Sequence, residues 1–139
     1  MPTPIESVKG LRVLIVEDEA LLAVELRERL SRHGLVVVDC VDTGEAAIRA
    51  AQELHPGLVL MDIRLKGAMD GIEAAAAIRQ TTHVPVVFVT AHSDEGTLRR
   101  AELTEPVLYI MKPFHDRDLD VIETALRHSG PKNAPSDGN

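Results

Sequence analysis

Tryptophan is absent, and one tyrosine and two phenylalanines bring the aromatic share to only 2%. Such a chain has no platform on which bases of single-stranded nucleic acid could stack. The one cysteine, Cys40, excludes an internal disulfide and gives no metal-ligand spacing. It lies in an apolar run and is expected to be a buried small hydrophobe, which fits a reduced, cytoplasmic setting. Positive charge is scarce: 15 Lys and Arg stand against 22 Asp and Glu, for a formal charge of −7. That argues against sequence-independent nucleic-acid binding, which neutralises phosphates with Lys and Arg, and against an anionic membrane surface. No apolar run approaches the ~20 residues of a membrane span. The start, Met1 to Glu6, lacks a basic region followed by an apolar core, so no signal peptide is expected.

What is present suits one domain. The chain has 139 residues, of which 45% are hydrophobic. Residues 1–9 carry two prolines and read as a flexible lead-in; residues 129–139 are polar and breaker-rich and read as a disordered tail. Between them, short apolar runs alternate with helical patterns. Strands are expected at 11–16, 36–41, 58–61, 85–89 and 107–111. The first helix is expected at about 20–33, with Leu22, Leu26 and Leu30 on one face and Gly34 as its stop. Asp42 or Thr43 can cap a second that runs to about His55. A third runs from Gly71 to Gln80 with Ile72, Ala75 and Ala76 as its buried face. A fourth follows Ser93–Asp94 to about Leu103, weakened by Gly96, and the last spans 116–128 with Leu119, Ile122 and Leu126 at helical spacing. Strands that are apolar throughout, joined by helices, imply an α/β fold with a parallel sheet covered on both faces.

In a parallel sheet all strand C-termini share one edge, where ligands bind. Here the first strand ends at Glu17, Asp18 and Glu19, the third at Asp62, the fourth at Thr90 and the fifth at Lys112. Several carboxylates in one place repel, and one would hold a proton. A divalent cation removes that conflict, and oxygen-only donors favour a hard ion such as Mg²⁺. The remaining carboxylate can then attack a phosphoryl group and form an acyl phosphate. Phosphoryl transfer needs mainly placement and positive charge about the equatorial oxygens, which Lys112, the Thr90 hydroxyl and the ion would supply.

The segments Val16-Glu17-Asp18-Glu19, Met61-Asp62-Ile63-Arg64-Leu65, Gly67 to Glu73, Phe88-Val89-Thr90-Ala91 and Tyr109-Ile110-Met111-Lys112-Pro113-Phe114 carry a resemblance. Over residues 10–128 the chain resembles a two-component response-regulator receiver domain, of the single-domain, chemotaxis-regulator-like kind. The resemblance implies a flavodoxin-like (βα)5 three-layer sandwich with strand order 2-1-3-4-5. It also implies that Asp62 accepts a phosphoryl group from a sensor histidine kinase or a histidine phosphotransfer protein. Glu17, Asp18, Asp62 and the Arg64 backbone carbonyl would hold Mg²⁺, with Mn²⁺ as the alternative. Thr90 and the Ala91 backbone, with Lys112, would contact the phosphoryl group, and the Tyr109 rotamer would report the switched state to a downstream protein partner or a phosphorylation-dependent homodimer. Lys112–Pro113 would be a cis peptide bond. Glu17 departs from the commoner Asp at the first acidic position. Arg64 and His92, each two residues beyond a site residue, lie where this family tunes phosphoryl lifetime.

Other readings of the same residues exist. Glu17 to Glu19 could be the acidic first turn of a helix, Thr90 a β-branched strand residue, Lys112 a solvated charge and Tyr109 a half-buried strand residue. The six histidines show no metal spacing and read as surface or cap residues. A haloacid-dehalogenase-like phosphatase also places a nucleophilic Asp at a strand end, but it needs a second Asp where Arg64 stands, and it needs a cap domain. A receiver-like module that binds a partner without phosphorylation is the third alternative. The chain is therefore expected not to be an enzyme beyond its own phosphorylation and dephosphorylation. The sequence leaves open whether it stands alone or forms part of a hybrid kinase.

Overall fold

The computed structural model describes residues 8–92 and 94–128. Five strands, β1 (Arg12–Val16), β2 (Val36–Val41), β3 (Leu58–Met61), β4 (Val86–Thr90) and β5 (Leu108–Met111), alternate with five helices, α1 (Ala20–Arg32), α2 (Gly44–Leu54), α3 (Gly71–Thr81), α4 (Glu95–Glu102) and α5 (Asp116–His128). All strands are parallel, in the order β2-β1-β3-β4-β5. The flavodoxin-like α/β fold expected from the sequence is the one observed. The greater part of the expected lead-in, Ser93, and the expected tail lie outside the described residues.

Each strand alternates its side chains between two cores, because successive residues of a strand point to opposite faces. Leu14, Val16, Val59, Met61 and Phe88 face α2, α3 and α4, where Ala47, Ala51, Ala75, Ile78 and Ala101 close against them. Val13, Ile15, Leu58, Leu60, Val87, Val89 and Ile110 face α1 and α5, where Leu30, Leu119 and Ile122 close against them. Both faces of the central strands β3 and β4 are buried throughout, which is why they read as unbroken apolar runs.

Local signals explain the helix ends. Thr43 caps α2 by accepting from the Ala46 N–H at 3.1 Å. At the end of α1, Gly34 sits at φ +89, donating to the Ser31 carbonyl at 3.0 Å while Leu35 donates to the Leu30 carbonyl at 3.1 Å. This is the paired 5→2 and 6→1 closure that a left-handed glycine permits. Asp70 and Glu73 cap α3 reciprocally, at 2.8 and 2.9 Å.

Two expectations about burial need correction. Ala76 is exposed on α3; the buried face is Ile72, Ala74, Ala75 and Ile78, since α3 packs against both the sheet and α2. Cys40 is half-buried rather than buried, because β2 is an edge strand. In α1 only Leu30 is fully buried, whereas Leu22 and Leu26 are half-buried along a cavity described below. Among strand ends, β4 begins at Val86 and includes Thr90, a shift of one residue.

Candidate functional site

Asp62 follows directly on β3, and its backbone is fixed by donating to the Val16 carbonyl at 2.9 Å. Glu17 follows β1 and donates from its backbone to the Val41 carbonyl at 2.9 Å. Lys112 follows β5 and donates to the Thr90 carbonyl at 2.9 Å. Thus the ladder that ends the sheet also places the polar residues.

The side chains converge. The Lys112 ammonium donates to Glu17 Oε1 and Asp62 Oδ2, each at 2.7 Å. Glu17 and Asp62 are 7% and 6% exposed, so the ammonium bridges two nearly buried carboxylates. One oxygen each from Glu17, Asp18 and Asp62 lies within 4.8 Å of the others. Glu17 Oε2 accepts from the Glu19 N–H at 3.0 Å, and Asp62 Oδ1 accepts from the Arg64 N–H at 3.3 Å. Burial holds the Glu17 carboxyl above its ordinary range, against the pull of its bonds to Lys112 and Glu19, with the Asp62 charge adding to the rise. Burial alone would lower the Lys112 ammonium, but its bonds to Asp62 and Glu17 outweigh that and hold it raised. The group is a positive centre at any ordinary pH.

Thr90 is fully buried at the end of β4, and its hydroxyl accepts from the His92 N–H at 3.3 Å. Ala91, the residue after Thr90, is exposed, His92 is half-exposed, and Arg64, two residues after Asp62, is exposed. Tyr109 is half-buried, tilted 52° against Phe88 with ring centroids 6.4 Å apart. Its hydroxyl is shielded from solvent and has no hydrogen-bond partner among the described residues. Burial raises its pKa, with the charges of Asp94 and Asp62 acting in the same direction. The Lys112–Pro113 peptide bond is cis.

These placements decide some of the competing readings. Helix α1 has no acidic residue in its first turn, and its N-cap Glu19 makes no side-chain cap bond. So the acids before it do not serve the helix; Glu17 points into the site instead. Lys112 is not a solvated charge, since its side chain is only 18% exposed and fully engaged. The three carboxylates offer only oxygen donors, a set that fits a hard divalent ion.

A model of the response regulator receiver domain matches residues 13–123. The chain belongs to that family. The receiver is 38% identical to the transcriptional regulatory protein PdtaR of Mycobacterium tuberculosis over 116 residues, which is 83% of this chain and 56% of that protein. It is 35% identical to the phyllosphere-induced regulator PhyR of Methylorubrum extorquens, over 82% of this chain and 43% of that one. It therefore spans about half the length of these curated relatives. Among solved structures, the signal receiver domain of a modulated diguanylate cyclase from Desulfovibrio desulfuricans G20 superposes with a TM-score of 0.80 at 39% identity, covering 86% of this chain and 96% of that one. Receiver domains are signalling modules rather than enzymes and bind Mg²⁺ at an acidic pocket, and the acidic cluster of this receiver is of that kind. None of its described helices is long and apolar enough to cross a membrane.

One feature beside the site has no counterpart in the sequence reading. A cavity of about 310 Å³ opens next to Glu17, Asp62 and Lys112, walled by Leu22 and Leu26 of α1 and by Phe114.

Proposed function

We propose that Asp62 is the phosphoacceptor of a two-component or phosphorelay pathway, taking its phosphoryl group from the phosphohistidine of a sensor histidine kinase or a histidine phosphotransfer protein. The observation that carries this reading is the Lys112 ammonium held 2.7 Å from both Asp62 and Glu17. An Asp62 carboxylate oxygen attacks phosphorus as the phosphorus–nitrogen bond to the donor imidazole breaks, and the imidazole leaves. Lys112 balances charge on the transferred group, since cationic donors near the equatorial oxygens stabilise them. The Thr90 hydroxyl and the Ala91 N–H would serve as further donors. Glu17, Asp18, Asp62 and the Arg64 carbonyl would hold Mg²⁺ or Mn²⁺, which would supply positive charge against the carboxylates and the phosphoryl oxygens.

Phosphorylation draws the Thr90 hydroxyl toward the new charge, and the space Thr90 vacates is taken up by Tyr109. The face made by α4, β5 and α5 then changes for a downstream protein partner or a second copy of the receiver. The receiver catalyses no more than its own phosphorylation and dephosphorylation. Its functional unit is residues 10–128, acting in the cytoplasm. Arg64 and His92, each two residues beyond a site residue, set how long the acyl phosphate survives. Exchanging both for Ala should change the decay rate, and an unchanged rate refutes that assignment.

The test of the main reading is intact mass after incubation with Mg²⁺ and acetyl phosphate. The wild type should gain one labile phosphoryl group, and Asp62→Asn should gain none. An adduct that survives Asp62→Asn, or none on the wild type, sinks the reading. Steady turnover of small phosphate esters would favour the phosphatase instead.

A further inference from the structure

We infer that Gly71 is a positioning residue for Asp62, and that its lack of a side chain sets the backbone path from the phosphoacceptor to the Arg64 carbonyl. This rests on the proposed role of Asp62. Gly71 is the first residue of α3 and is not among the glycines with positive φ, so its use is space rather than backbone freedom. A β-carbon on Gly71 would lie 1.9 Å from the Asp62 carbonyl oxygen, 2.8 Å from its carbonyl carbon and 2.9 Å from Ile63 Cα. All three are backbone atoms, so no side chain can rotate away. The Gly71 N–H also donates to the Ile63 carbonyl at 2.7 Å. The start of α3 is therefore seated directly on the peptide unit that carries Asp62.

The loop between these two points is braced from the other side as well. Thr43 pairs with Lys66 as an isolated parallel bridge, and Lys66 reaches Asp42 at 3.4 Å. The Met69 side chain fills the space over Gly44. Asp70 holds the helix start through its reciprocal cap with Glu73 and a 3.0 Å contact to Arg100. With α3 anchored by buried Ile72, Ala75 and Ile78, a side chain at position 71 must displace the thinner partner, the strand end at Asp62 and Ile63. The Asp62 carboxylate and the Arg64 carbonyl would move with it. Misplacement of a reacting group by about 1 Å costs up to roughly 100-fold in rate.

The experiment compares Gly71→Ala with Gly57→Ala. Gly57 precedes the same strand at its far end, and a β-carbon there meets Leu11 Cδ1 at 2.8 Å, a methyl group that can turn aside. Three quantities are read on each variant and on wild type: the backbone amide resonances of residues 62–64 without metal, the affinity for Mg²⁺, and the rate of phosphorylation by acetyl phosphate. Gly71→Ala should fold, shift those amides, weaken Mg²⁺ about tenfold and slow phosphorylation about 10- to 100-fold. Gly57→Ala should leave all three near wild type even where it lowers the melting temperature. Wild-type values in Gly71→Ala, or equal losses in both variants, overturn the inference. If Gly71→Ala does not fold in buffer, the same readings are taken with trimethylamine oxide, which favours compact states. Failure to fold there too also overturns it, because the inference requires a folded receiver with a displaced loop. Failure of wild type to take a phosphoryl group would refute the role of Asp62 while leaving the amide and Mg²⁺ comparison readable.

Discussion

Helices α3 and α4 pack into the same core and follow the strand ends that carry Asp62 and Thr90, yet they are held in opposite ways. Helix α3 has 11 residues, a reciprocal cap at its start, and Ile72, Ala74, Ala75 and Ile78 buried. Helix α4 has eight residues, contains Gly96, and buries only Ala101. Its other ties to α3 are two exposed ion pairs, Arg100–Asp70 at 3.0 Å and, just beyond its end, Glu105–Arg79 at 2.6 Å. Exposed pairs of this kind contribute about 0–1 kcal/mol. The helix after Asp62 is thus a fixed wall, and the helix after Thr90 rests on little. A switch needs both: a rigid frame to hold the chemistry and an element whose position costs little to change.

Breaking the wall should have the largest effect. Ile78 is fully buried in the core between α3, α2 and the sheet, so Ile78→Ala should cost about 2–5 kcal/mol, read by urea unfolding. On α4's side, Leu103 is 84% exposed, and Leu103→Ala should stay within about 0.5 kcal/mol of wild type. Comparable losses at the two positions would end the contrast. Native-state hydrogen exchange sharpens it without mutation: amides of α4 should exchange faster than those of α3.

The same contrast shows what a sequence can disclose. The five strands and five helices follow from alternation, whereas the sheet order rests on the family resemblance, and α3 was legible from its apolar period because that is a local signal. Asp62, Glu17 and Lys112 could be gathered because a parallel sheet puts all strand ends on one edge. What was not legible depends on distances between elements. Ala76 lies next to Ala75 in a run of four alanines, and nothing in that run tells which one faces α2. The Lys112 bridge to both acids needs the lateral spacing of β1, β3 and β5. The crowding at Gly71 is a contact between a helix start and Asp62, nine positions earlier, where the sequence displays only an ordinary Asp–Gly turn.

Intermediate effects should come from the helix starts. Asp70→Ala removes the cap of α3 together with the partner of Arg100, and should cost about 1 kcal/mol, at most about 2. Arg100→Ala removes only the ion pair and should cost under about 1 kcal/mol, mostly lost in high salt. Gly96→Ala acts in the other direction. A β-carbon there finds nothing nearer than Asp94 Oδ2 at 3.7 Å, so the substitution should stabilise by about 0.4–1 kcal/mol and slow exchange of α4 amides. If α4 moves on phosphorylation, a stiffer α4 should also weaken the response of Tyr109 to acetyl phosphate. With no tryptophan and one tyrosine in the chain, intrinsic fluorescence reads that response directly. An unchanged Tyr109 response alongside slower α4 exchange would uncouple the helix from the switch.

The smallest effect is a pH dependence of the α4 start. Asp94 caps α4, accepting from the Thr97 hydroxyl at 2.8 Å and from its N–H at 3.1 Å, and these bonds hold its carboxyl below the usual range. Because the folded value lies below the unfolded one, the stabilisation is complete above the unfolded value near 3.8 and is lost as pH falls through the folded value. The exchange of α4 amides, corrected for intrinsic rates, should therefore accelerate on acidification through that window, while α3 amides lag. Asp94→Asn keeps a capping oxygen but cannot titrate, so it should flatten the profile. It also removes one of the charges that raise Tyr109, so the tyrosinate absorbance of the variant should rise at lower pH than in wild type. A Tyr109 midpoint unmoved by Asp94→Asn would mean that burial and the Asp62 charge set it, and that the α4 start carries no charge to Tyr109.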